Sequence, residues 1–388
     1  KTFHILGHNH KWNLDAYFDN QIGDGFVFTA QSFDREFPTK PKFSGHDADK
    51  ILPLSMVDLQ FYGKKESSNI ENDNFASYSF HPANHEGTTQ TNLYLIDAIK
   101  DGIRFQEQAG FKDIIVPQYF EVDDFEKFLG IVKTINRELA KKPGCRYLMS
   151  LPVSYELLQN DAKVDRLLLV LTESSIHFDG YFIAFEQHHD YKQKLTLNLR
   201  YLSNATRILT TLKHQQFTTV LAYANWDALI YLSLTDIDII TIGSYENLRN
   251  FKIERYTSPS EGGPSKGWYF SVPLLNFIKS QLLDLIREKK CIDLIKNEKN
   301  IFSDAVLADN FPWNMHKPDV HKNYLLSIDR LLKEIAGIAD LADRKQAMLK
   351  KIKHASALYQ NLHAQKVVLA EESSNYHLGT WETFLLSR

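Results

Sequence analysis

Asp58 lies in SMVDLQFYG, residues 55–63, directly after an apolar run. A carboxylate at the end of a buried strand sits where general bases sit, and its neighbours can tune its proton affinity. The plainer role for such a residue is to cap the next loop. Glu186 repeats the pattern after YFIAF. Asp58 and Glu186 are therefore the candidate catalytic carboxylates. Other polar or aromatic residues also end apolar runs: Gln31, Gln60 and Tyr62, Gln118 and Tyr119, Ser154 and Tyr155, His188 and His189, Asn225 to Asp227, Ser244 to Glu246. Gln60, Tyr62, Gln118, Tyr119, Asn225 and Ser244, with Arg249 shortly beyond, form a candidate ligand-binding set. Amides that read the edge of a ring, beside tyrosines that stack on its face, suit a nucleobase or another planar heterocycle.

His8-Asn9-His10 is similar to the HxH that follows the first strand of metal-dependent amidohydrolases, where two imidazoles bind a metal. His188 would be a later ligand of such a site. The run GWYFSVPLL lacks the Asp such sites use, and no Lys follows YLMSLPVS. There is no GxGxxG, Walker loop, GxSxG or HExxH, so no cofactor is expected.

Apolar runs bounded by Gly, Asp and Pro must position these residues. Tyr181–Phe185, Thr219–Tyr223 and Ile237–Ile242 are apolar on successive residues, as strands covered on both faces are. Strands are predicted to begin at Gly25, Ile51, Asp113, Tyr147, Gly180, Thr219, Asp236 and Gly267. Helices are predicted over Thr91–Gln108, Val122–Lys141, Ala162–Thr172 and Asn276–Lys289, with another around residues 195–212. Eight such strands in roughly 250 residues indicate an α/β (β/α)8 TIM-like barrel, with a doubly wound sheet as the alternative. Thr2–Leu6 is then an extra strand, a plug at the barrel's base.

Residues 1–290 are read as the barrel, with a long binding loop or lid at 63–91. Residues 291–388 are read as a helical C-terminal extension. Leu325, Ile328, Leu331, Leu332 and Ile335 recur there at helical spacing. These helices either pack on the barrel or take a protein partner.

The net charge of -3 gives no global case for a polyanion partner, though a local patch of Arg249, Lys252, Arg255 and Lys266 could meet phosphate. Cys145 and Cys291 are too few for a disulfide framework and fit a reducing compartment. No run reaches the roughly 18 apolar residues of a spanning helix, so a cytoplasmic protein without a membrane partner is expected.

Three of the pieces together resemble the TIM barrel of tRNA-guanine transglycosylases of the queuine/archaeosine type. FDGYFIAF at 178–185 is similar to that family's FDGYAIGG strand, which lines its base pocket. SMVDLQF at 55–61 echoes its DSGGFQ strand, placing Asp58 and Gln60 on the motif's Asp and Gln. DIDIITIGSYENLR at 236–249 falls where the family has FDCVxPTRxAR. The resemblance spans about 200 residues and implies a barrel with a base-sized pocket. The family's nucleophilic Asp is replaced by an apolar residue near Thr241, its glycine pair by Ala184-Phe185, and its Cys-rich zinc site is absent. Covalent transglycosylation is therefore not implied. The expected partner is a nucleobase-containing small molecule or a nucleic acid, with Asp58 as carboxylate, Gln60 as base reader and Tyr62 or Tyr119 stacking. The alternatives are a non-catalytic scaffold on a degenerate barrel and a metal-dependent hydrolase using His8 and His10.

Overall fold

The computed structural model describes residues 1–63, 72–84, 92–120, 125–257 and 267–388. Its centre is a nearly closed barrel of eight parallel strands: β1 Thr2–Ile5, β2 Gly25–Thr29, β3 Ser55–Asp58, β4 Asp113–Val116, β5 Arg146–Val153, β6 Gly180–Phe185, β7 Thr218–Leu221 and β8 Ile239–Gly243. The hydrogen-bonded order is β3-β2-β1-β8-β7-β6-β5-β4. Every residue of β6 is buried, the burial its unbroken apolar run requires. The main helices are α1 His10–Asn20, α2 Asn92–Gln108, α3 Phe125–Glu138, α4 Asp161–Leu171, α5 Leu199–His214, α6 Ala228–Leu232, α7 Pro318–Ala336, α8 Leu341–Ala364 and α9 Leu378–Leu386. Among the described residues no helix is long and apolar enough to cross a membrane.

Two strands exchange the roles expected of them. Thr2–Ile5 is not a plug: it is the first barrel strand, paired to β2 and to β8 with Ile5 opposite Gly243. The run at Gly267–Leu275 is not the eighth strand. Its first part, β9 Trp268–Ser271, pairs antiparallel with β10 Asn276–Lys279 outside the barrel. The helix expected over Asn276–Lys289 is therefore a strand followed by the short helix Leu283–Glu288. Two apolar runs around the Val272–Leu275 turn read as one strand and one helix face, yet each run is the other's partner. The strand expected from Ile51 starts only at Ser55, because Pro53 sits in a tight helical turn before it. Residues 64–71, 85–91, 121–124 and 258–266, with Lys266, lie outside the described residues. Within the expected 63–91 loop, residues 72–84 carry the short helix Asp73–Ser77.

At the barrel's base, three Asp residues standing at strand starts each accept a main-chain N–H from a neighbouring strand. Asp24 takes Thr2 N, Asp179 takes Tyr147 N and Asp238 takes Thr219 N, at 2.7, 2.7 and 2.9 Å. The opposite, C-terminal end carries the polar residues singled out above.

The two end strands, β3 and β4, lie side by side without a hydrogen-bonded ladder. An edge left this way must be covered. Helix α2 covers it. The buried Gln106 amide donates to the Ile115 carbonyl at 2.7 Å and accepts the Ile115 N–H at 2.9 Å, replacing the missing strand. Gly102 lets the helix sit close: a Cβ there would stand 2.9 Å from Leu59 and 3.0 Å from Pro117. Gln106→Ala orphans both main-chain groups and is expected to cost roughly 2–4 kcal/mol in urea unfolding. A loss below about 0.5 kcal/mol would mean that the seam does not depend on this amide.

Candidate functional site

Asp58 ends β3 with 2% of its surface exposed. Gln60, in the left-handed conformation at φ 54°, turns the chain so that its own N–H returns to Asp58 Oδ1 at 2.9 Å. Tyr62 Oη donates to Asp58 Oδ2 at 3.1 Å, and Tyr223 Oη donates to the same oxygen at 2.6 Å. The Gln60 amide is engaged too. Its Nε2 donates to Tyr223 Oη at 2.8 Å and to Tyr256 Oη at 3.2 Å, while its Oε1 accepts Gln31 N–H at 2.9 Å. Ser150 Oγ on β5 lies 3.3 Å from Tyr62 Oη. Residues after β3 and β7 thus meet on the Asp58 carboxyl, and residues after β2 and β8 meet on the Gln60 amide beside it.

Burial pushes the Asp58 pKa up to about 6, against the lowering effect of its hydrogen bonds, the Tyr223 bond foremost. Burial also drives Tyr62 and Tyr223 far above the usual tyrosine range, so both stay proton donors. The result is a carboxyl that changes charge near neutrality inside a cradle of fixed donors.

Glu186 directly follows β6 and is also buried. Its oxygens accept Tyr155 N–H at 3.1 Å and Ile253 N–H at 3.5 Å, and burial raises its pKa. Asp227, beyond β7, is a third buried carboxyl, pushed up to about 7 by burial and relieved only by main-chain amides. The fields of Asp227 and Glu186 both fall on the buried Tyr201. Three carboxyls with raised pKa values therefore stand at one end of the barrel.

The rest of the predicted set is spread around this end. Gln118 is wholly buried after β4. Its Oε1 accepts Tyr119 N–H at 3.0 Å, and among the described residues its Nε2 has no partner. Asn225 is buried and accepts Trp226 N–H at 3.1 Å. Ser244 and Arg249 meet after β8, where Arg249 Nη1 reaches the Ser244 carbonyl at 3.5 Å. They line a cavity of about 330 Å³ together with Tyr245, Trp268, Phe277 and Tyr324. The histidines of the metal alternative are not brought together. His8 is exposed, His10 bonds Ser44 Oγ at 2.9 Å against Phe33, and His188 stacks on Tyr155. Among the described residues no group of three His, Cys, Asp or Glu could hold a metal ion.

Tyr223, Tyr256 and Tyr324 were not singled out from the sequence. Tyr223 and Tyr256 lie far along the chain from Asp58; Tyr223 closes an apolar run and reads as core, and Tyr256 stands in the polar stretch IERYTSP. Asp227 carried a usable signal, since it closes an apolar run just as Asp58 does. Comparison with protein-family models finds no match, and none of the curated proteins compared matches the chain.

Asp227 gives a stability test with a defined sign. Its raised pKa means the native state binds the proton more tightly than the unfolded chain does. Ionisation therefore costs stability as pH rises from about 4 through 7. Asp227→Asn is expected to be more stable than wild type at pH 8, by about 1 kcal/mol or more, and to lose that advantage at pH 4. Denaturant midpoints at both pH values check this. An advantage equal at both would remove the ionised carboxyl as its cause.

Proposed function

We propose that this chain is a TIM-barrel enzyme that processes a nucleobase-containing small molecule at the C-terminal end of its barrel. Asp58 accepts the proton and Glu186 serves as a second carboxyl. One observation carries this reading: Asp58 is buried at a strand end, held by Tyr223, Tyr62 and the Gln60 N–H, with its pKa pushed up to about 6. A general base works best when its pKa lies near the working pH. Gln60 contributes by fixing Tyr223 and Gln31 around the carboxyl, since its amide is engaged within the protein. The resemblance to transglycosylase barrels supports glycosidic-bond chemistry on a base, without a covalent aspartyl intermediate.

The test is incubation of wild type with a panel of nucleosides and nucleoside monophosphates, following free base by chromatography. Base release is expected, rising with pH through about 6 as Asp58 ionises. Asp58→Asn is expected to lower it about 100-fold or more while the circular dichroism spectrum is kept. An unchanged rate in that variant, or no base turned over by wild type, would overturn the reading.

The saturation of Gln60 and Asp58 by internal partners favours a second reading, a binding scaffold without turnover. It expects wild type to release no base and Asp58→Asn to act on stability alone.

A further inference from the structure

Arg249 is a buried cation near the barrel mouth. Only 7% of its surface is exposed. Its guanidinium carbon lies 4.6 Å from the ring centroid of Phe277, on β10, and 4.4 Å from that of Tyr324, on α7. Among the described residues no carboxylate lies within ion-pair distance of it. The nearby Glu246 is bonded instead to Lys194 Nζ at 2.5 Å. Lys194 in turn lies 4.3 Å over Trp268, so that rim of the cavity is already neutral. The rings hold the guanidinium but carry no charge, and Glu246, whose field reaches Arg249, is already paired with Lys194, so the buried cation is only partly compensated. Its Nη1 reaches the Ser244 carbonyl at 3.5 Å, and the guanidinium also interacts with the Tyr324 hydroxyl.

The surroundings hold this geometry in place. His321 bonds the Ser244 carbonyl through Nδ1 at 2.9 Å and the Met315 carbonyl through Nε2 at 2.6 Å. Ser244 Oγ donates to Asn13 Oδ1 at 2.6 Å. Tyr324, whose ring and hydroxyl both meet the guanidinium, is itself buried. The cavity beside Arg249 holds about 330 Å³, within the range of small-ligand pockets, and Tyr245 and Trp268 offer it aromatic walls.

We propose that this cavity is an oxyanion-binding site, in which Arg249 takes the phosphate or carboxylate of a small molecule whose planar ring lies against Tyr245 and Trp268. A guanidinium resting against two neighbouring rings on one side, with no carboxylate paired to it among the described residues, keeps N–H groups for an oxyanion, which arginine binds in pairs of hydrogen bonds. The site is separate from the Asp58 cradle and does not rest on the acid–base reading.

Titration calorimetry tests it with adenosine 5′-monophosphate, benzoate and uncharged adenosine as probes. Wild type is expected to bind one or both of the ring anions, and adenosine at least 10-fold more weakly. The monophosphate and benzoate arms separate a phosphate site from a carboxylate site. Arg249→Met is expected to weaken the anion at least 10-fold, and Arg249→Lys by less. Lys350→Ala, in a separate groove, is expected to leave it unchanged. Should Arg249→Met fail to fold, Trp268→Phe reads the same wall and is expected to weaken binding about 3-fold or more. Binding of neither anion at millimolar concentration, equal binding of adenosine, or full binding by Arg249→Met would each overturn the proposal. A failed Asp58→Asn activity test would not.

Discussion

The Asp58 carboxyl ties together parts of the barrel that no strand pairing joins. It ends β3, one edge of the hydrogen-bonded order, and is gripped by Tyr223 beyond β7 and by Tyr62, which reaches Ser150 on β5. Side chains thus stand in for strand pairing at the open β3 edge and at the β4 edge beside it. Gln106 covers the β4 edge on the outside through the main chain of Ile115. On the top, the cradle around Asp58 holds β3 to the opposite wall. Remove the carboxyl and two buried tyrosine hydroxyls and the Gln60 N–H lose their acceptor.

The same carboxyl sets the electrostatics of that end. At the base, Asp24, Asp179 and Asp238 serve as ordinary acceptors for strand N–H groups. At the top, Asp58, Glu186 and Asp227 are buried, and each has its pKa raised by desolvation. Identical chemistry is structural at one face and tuned at the other, because only burial without a counter-ion shifts the proton equilibrium so far. Arg249 is the converse case, a buried cation held by rings.

Most of the barrel could be read from the sequence because parallel strands must be apolar on successive residues, and β5 to β8 are. The exchange between Thr2–Ile5 and Trp268–Ser271 could not. Both are short apolar runs, and only partner choice separates them. A partner is a property of the whole chain, as the β9–β10 hairpin shows. The same limit governs the site. Asp58 and Glu186 were legible because each closes an apolar run, and Ser244 and Arg249 because they follow a strand. Tyr223, which makes the shortest bond to Asp58, lies far along the chain and looks like a core aromatic, and Tyr256, which meets the Gln60 amide, sits in a polar stretch with no motif around it. Tyr324 and Phe277, which lie against Arg249, come from segments beyond the barrel that both read as helix, and only that of Tyr324 is one.

The central claim is that Asp58 titrates near neutrality in its cradle. Carbon-13 NMR of the side-chain carboxyls, with Asp58 assigned by its absence in Asp58→Asn, measures this directly. The account expects a resonance whose midpoint lies near 6. A midpoint between about 3 and 4, the range of an ordinary aspartate, would contradict it, because the cradle would then stabilise the charge more than burial opposes it.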